Sequence, residues 1–105
     1  MHNNDSWLNT DPITKNHVRI MTCKYSGYCD RQDVLSSFRT HAKPISVWIR
    51  DHNMEDRTRF DYRAERKVIS DMIKVRWYLV FENEEDKVLF LLSQDSLFEE
   101  IIEGM

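Results

Sequence analysis

The segment Val75 to Phe81 constrains this chain more than any other. Val75, Trp77, Leu79 and Phe81 alternate with Arg76, Tyr78 and Val80, which is the two-residue period of a β-strand built from β-branched and aromatic residues. Nearly every position is apolar, so both faces of the strand need cover. A strand of that kind belongs at the centre of a sheet, with a neighbour on each side and a packed layer against it. At 105 residues the chain has enough material for one modest core and not for two. A hydrophobic content of 41%, with two glycines and two prolines, excludes the depleted composition of a disordered chain.

The remaining elements follow from local pattern. His17 to Tyr25 alternates, with Val18, Ile20 and Thr22 on one side of the strand and His17, Arg19, Met21 and Cys23 on the other. Ser26-Gly27 turns the chain, and Asp30 stands where a helix N-cap belongs, with Asp33 in the first turn to complement the dipole. Val34, Leu35, Phe38 and Ala42 at helical spacing predict a helix over about Arg31 to His41, ended by Lys43-Pro44. Ile45, Val47 and Ile49 alternate with Ser46, Trp48 and Arg50, which predicts a second strand. Asp51 to Asp56 is then its polar turn.

From Arg57 the alternation of Thr58, Phe60, Tyr62 and Ala64 with charged residues predicts a strand to about Ala64, hairpinned with Ile45–Ile49. Phe60, Ala64, Val68 and Met72 also fit a helical stripe, so residues 57–73 carry both patterns, and a helical or turned piece is expected through Met72. Asn83 caps a helix whose first turn holds Glu84, Glu85 and Asp86 and whose apolar residues are Val88, Leu89, Leu91 and Leu92. Ser96 and Glu99 form a capping box for a last short helix with Leu97, Phe98, Ile101 and Ile102, stopped by Gly104.

These elements predict an α+β protein: a small antiparallel or mixed sheet of about four strands with helices on one face. The order suits a ferredoxin-like or split βαβ arrangement with a C-terminal helical extension. Residues 1–15, rich in Asn, Asp and Thr, read as a flexible N-terminal arm, and residues 16–105 as the single domain. Trp7 in that arm needs a surface to dock on, either the chain's own body or a partner.

Charge is segregated along the chain. Glu82 to Met105 hold eight acids and one base, whereas Arg50 to Arg76 hold eight bases and six acids. Such asymmetry sets which partners each face attracts. A net charge of −3 argues against a general nucleic-acid coat, although a local basic face remains able to bind. The polar start MHNNDSWLNTDP lacks the apolar run of a secretory signal, and two cysteines without such a signal fit a reducing cytoplasm. No apolar stretch approaches the roughly 20 residues that span a bilayer, so no membrane partner is expected.

Sites of chemistry are sparse. His17, Cys23, Cys29 and His41 are the residue types of a zinc site, but six residues of strand at roughly 3.3 Å each hold His17 and Cys23 about 20 Å apart, which defeats a shared metal. Asp51, His52, Asn53, Glu55 and Asp56 could hold a hard divalent cation, as in a metal-dependent nuclease, yet turns favour the same residues. No nucleophile elbow and no Gly-rich phosphate loop is present. Neither a catalytic residue, a metal ligand nor a cofactor is therefore assigned.

Two surfaces stand out instead. Trp48, Arg50, Arg57, Arg59, Tyr62 and Arg63 interleave arginine with aromatics across a basic hairpin over 50–67, the means by which a sheet grips single-stranded nucleic acid. Trp7, Phe98, Glu99, Glu100, Ile102 and Glu103 combine acidic charge with apolar groups at the two ends, suited to a protein partner or to a homodimer.

The segment WYLVFENEEDKVLFLL, Trp77 to Leu92, resembles the strand-then-helix endings of small accessory proteins from T4-like bacteriophages. The resemblance covers about a sixth of the chain and carries no functional residue across. It implies a small protein that binds and redirects a host protein or nucleic acid in the host cytoplasm. The expectation is thus a non-catalytic binding protein, a viral effector that inhibits or redirects a host macromolecule by protein contact, with single-stranded nucleic-acid (RNA) binding as the alternative.

Overall fold

The computed structural model describes residues 6–93. They form β1 (His17–Ser26), α1 (Arg31–His41), α2 (Lys43–Asp51), β2 (Thr58–Lys67) and β3 (Met72–Phe81), followed by α3, helical from 84 to 93 where the described residues end. The sheet has three strands in the order β1-β3-β2, both pairings antiparallel, so β3 is central. The fold is α+β, as the patterns predict.

The centre of the molecule matches its sequence closely. Ile73, Val75 and Leu79 have no exposure and Phe81 has 1%, all on the helix side, and on the other face Tyr78 is 4% exposed. One face of the sheet carries the helices. Phe38 of α1 stacks on Trp77 with centroids 3.8 Å apart and meets Phe60 of β2 edge-on at 5.0 Å, while Phe90 of α3 lies 5.6 Å from Phe81. α1 opens with the expected Asp30 cap, whose carboxylate accepts from the Asp33 N–H at 2.9 Å while Asp33 reaches back to the Asp30 N–H.

The second predicted strand is a helix, α2. Ile45 and Ile49 lie four apart as well as at even spacing, so they satisfy both periods, and the β-branched residues tilt the pattern toward a strand. Ala42, buried to 1%, completes the helical stripe with Ile45 and Ile49. Pro44 sits in the first turn, where a missing N–H costs nothing, so Lys43-Pro44 both ends α1 and opens α2. The expected hairpin with residues 57–64 therefore does not exist, and β2 pairs with β3 instead. With three strands among the described residues, the four-stranded ferredoxin-like expectation is replaced by β1-α1-α2-β2-β3-α3.

Asp51 to Asp56, expected as a hairpin turn, is the end of α2. Asn53 takes a left-handed conformation (φ 55), the Met54 N–H donates to the Ile49 carbonyl at 3.0 Å and the Asn53 N–H to Arg50 at 3.0 Å, a Schellman closure. Met54, 2% exposed, anchors it in the core. β2 runs on past Ala64 to Lys67, and residues 68–71 form the loop into β3. There Asp71 adopts φ 52, a region that Asp tolerates. Within β1, the register shifts between Arg19 and Met21, so the simple alternation breaks: Val18, Met21, Cys23 and Tyr25 face the partners Leu79, Trp77, Val75 and Ile73 on the helix side.

Candidate polyanion interface

Register assigns the outer, helix-free face. On β1 it carries His17, Arg19, Thr22 and Lys24; on β3, Met72, Lys74, Arg76, Tyr78 and Val80; on β2, Arg59, Asp61, Arg63, Glu65 and Lys67. Residues 9–16 divide this face. Asn9 exchanges backbone hydrogen bonds with Ala64 at the free edge of β2, at 3.1 and 2.8 Å, and the chain then crosses the sheet to begin β1 on its far side.

Arg63 clamps that crossing. Its Nε donates to the Asp11 carbonyl at 2.7 Å and its Nη2 to the Pro12 carbonyl at 3.4 Å, while Nη1 donates to Asp61 Oδ2 and to the Tyr62 carbonyl, both at 2.8 Å. His17 adds a second clasp, with Nε2 2.8 Å from Asp61 Oδ2 and Nδ1 2.6 Å from Thr14 Oγ1. Burial alone would raise the Asp61 carboxyl, but the hydrogen bonds from His17 and Arg63 outweigh it and hold it below the ordinary carboxylate value. Thr14, His17 and Asp61 make a hydroxyl-imidazole-carboxylate line, but Arg63 occupies the same carboxylate oxygen. Its evident work is to fasten the strap over Tyr78, whose ring lies edge-on to His17 at 5.8 Å and is 4% exposed. Nothing local signals this cluster, since His17 and Asp61 are 44 positions apart.

Below the strap the face is open and basic. Arg19, Lys24, Lys67, Lys74 and Arg76 gather there with Glu65 as the carboxylate. Glu65 Oε1 lies 3.0 Å from Lys67 and 3.6 Å from Arg76, and its carboxyl is lowered first by the Lys67 hydrogen bond. Two like-charge pairs oppose each other directly across the strands, Lys24 with Lys74 and Arg63 with Arg76. Cross-strand pairs of one sign are destabilising. Arg63 has Asp61 to offset this and Lys74 and Arg76 share Glu65, while the Arg76 Nε is buried without an acceptor. Apart from Lys67 these cations lie outside the run 50–67, and Arg19 shares a face with Thr22 and Lys24 only because of the bulge in β1.

The residues singled out for nucleic acid are dispersed. Trp48 stacks on His52 at 4.1 Å and meets Phe90 edge-on at 5.3 Å, between α2 and α3. Arg50 ends α2, where the dipole favours a cation. Tyr62 faces the helix side, 5.4 Å from Trp77, and its hydroxyl donates to the Trp7 carbonyl. Arg57 Nε donates to Asp86 Oδ2 at 2.9 Å, tying β2 to α3. Arg59 is exposed on the outer face, above the strap, and Arg63 is buried at 8%. Helix α2 and the buried clamp are what separate them.

Trp7, from the other set, packs beside Tyr62 at a centroid distance of 6.3 Å. Phe98, Glu99, Glu100, Ile102 and Glu103 lie outside the described residues. His17 and Cys23 fall on opposite faces of the sheet. Among the described residues no three His, Cys, Asp or Glu groups are placed to hold a metal, the 51–56 cluster included, and no helix is long and apolar enough to cross a membrane. No family model, curated protein or solved structure matches this chain.

Proposed function

We propose that this protein is a binding module that receives an extended polyanion, single-stranded RNA or DNA, on the open part of its outer sheet face. The carrying observation is the sign imbalance there: five cations around one carboxylate, with Lys24 directly opposite Lys74. An exposed sheet face is polar in any case, but interspersed signs would serve solubility better. Glu65, opposite Lys74 on the other side, offsets part of this repulsion, and an anion laid over the lysines removes what remains. Cations at alternate positions of one strand, such as Lys74 and Arg76, are spaced about 6.6 Å apart, so they can follow a backbone rather than grip a single ion. The site differs from the 50–67 run and the chemistry is the same.

Fluorescence anisotropy with a labelled oligouridylate, titrated across salt, tests this. Four phosphate contacts give a log-log salt slope of about −2.8, at about 0.7 per contact on single strands. Replacing Lys24 and Lys74 by Glu should weaken binding and flatten the slope by about 1.4. Equal binding by parent and variant would reject the assignment.

A second reading, a viral effector acting on a host protein, draws on α3. Val88, Leu89 and Leu91 are partly exposed there and Leu92 is 81% exposed, close to Glu84 and Glu85. Nuclease-resistant capture of one protein by the parent and not by Leu92→Glu would favour it.

A further inference from the structure

The loop joining β2 to β3 presents Val68 and Ile69 to solvent at 90% and 103% exposure, and Tyr28 in the adjacent β1–α1 connection is 76% exposed. Hydrophobic residues in a tight loop gain nothing for the fold there. The loop is nevertheless held firmly. Lys67 pairs with Met72 at its base, the Gly27 N–H donates to the Asp71 carbonyl at 3.0 Å, and Arg66 Nη1 donates to the Gly27 carbonyl at 3.0 Å. Gly27 is required at this crossing, since a Cβ would stand 2.5 Å from the Asp71 carbonyl oxygen. The result is a rigid apolar tip at the end of the sheet where Lys24, Lys67 and Lys74 lie.

Resting on the reading above, we propose that Val68 and Ile69 are a wedge that enters between neighbouring bases of a strand whose phosphates lie on the basic face. Apolar side chains inserted at a base step unstack it at modest cost when the strand is unpaired or easily kinked. The ligand is therefore a flexible or single-stranded nucleic acid rather than a uniform duplex. Charge placement favours this occupant over a lipid surface. Lys24, Lys67 and Lys74 beside the tip would meet an anionic lipid surface as well, but Arg76 and Arg19 continue the cationic face away from the tip along two strands, a track that a phosphate backbone follows and a dipping tip does not use.

The probe is a single-stranded DNA 15-mer carrying 2-aminopurine, whose emission rises when its neighbours unstack, read beside anisotropy and the salt slope. The parent should bind with rising emission. Val68→Ser with Ile69→Ser, both at exposed positions, should keep the salt slope, bind about tenfold more weakly and lose the emission change. If this double variant matches the parent in affinity and emission, the wedge is wrong while the basic face stands. If the parent binds no oligonucleotide even at low salt, the face and the wedge both fall. Binding instead to vesicles rich in phosphatidylserine would reassign the tip to lipid and overturn the proposal.

Discussion

Arg63 is the residue whose removal tests the architecture most sharply. Replacing this residue, 8% exposed, with Met keeps the aliphatic stem and deletes the guanidinium that donates to Asp11, Pro12, Asp61 and Tyr62. Hydrogen bonds to charged groups contribute about 1.5–3 kcal/mol each, but the carbonyls of residues 11 and 12 regain water once the strap lifts. Asp61, at 19% side-chain exposure, keeps His17, the Tyr62 N–H and the more distant, exposed Arg59 but loses its closest cation. Breaking a buried ion pair costs about 3–5 kcal/mol, and partial exposure puts Arg63→Met at about 3 kcal/mol. For a domain near 100 residues this lowers Tm by about 12 °C or more. Thermal melts followed by circular dichroism measure the loss, and hydrogen exchange at the Asn9 and Ala64 amides reports the strap itself. A variant within about 1 kcal/mol of the parent, with those amides still protected, would refute the clamp. Arg63→Lys should recover only part of the loss, because an ammonium cannot reproduce the fork.

The Asp61 carboxyl is depressed in the fold, so its contribution is complete above the ordinary value of 3.8 and is lost as pH falls through its lower folded value. Asp61→Asn should therefore flatten the stability-pH curve below about pH 4, and an unchanged curve in urea titrations would contradict the His17 and Arg63 contacts. Phe81→Ala, at a position 1% exposed, should cost about 3–5 kcal/mol in denaturant unfolding, and near-parent stability would remove β3 from the centre. Asn53→Ala should cost about 1 kcal/mol because the left-handed C-cap position is strained for alanine, whereas Asn53→Gly should be tolerated. Equal melting of the two variants would mean that the Schellman closure does not hold α2.

What the sequence settled by itself were the elements whose residues answer to one period only. Val75 to Phe81 is apolar at every position but Arg76, which pointed to a central strand. Arg31 to His41 carries its stripe within eleven residues with its cap, Asp30, immediately before them, and the Asn83 side-chain oxygen accepts from the Asp86 N–H at 3.0 Å as a cap should. These depend on neighbours within a turn or two, so local pattern suffices. Lys43 to Asp51 satisfied two periods at once, and only packing of Ala42, Ile45 and Ile49 against the sheet chose between them. The bulge at Arg19–Met21 could not be read either, since it depends on the register against β3. The candidate site lay further out of reach. Lys24 comes to face Lys74, and Arg63 reaches across to Asp11, through pairings of strands distant in the chain, so the basic face and the strap that bounds it exist only once the order β1-β3-β2 is set. The charges were legible in the sequence; their juxtaposition was decided by the tertiary fold, because cross-strand neighbours are fixed by register rather than by separation along the chain.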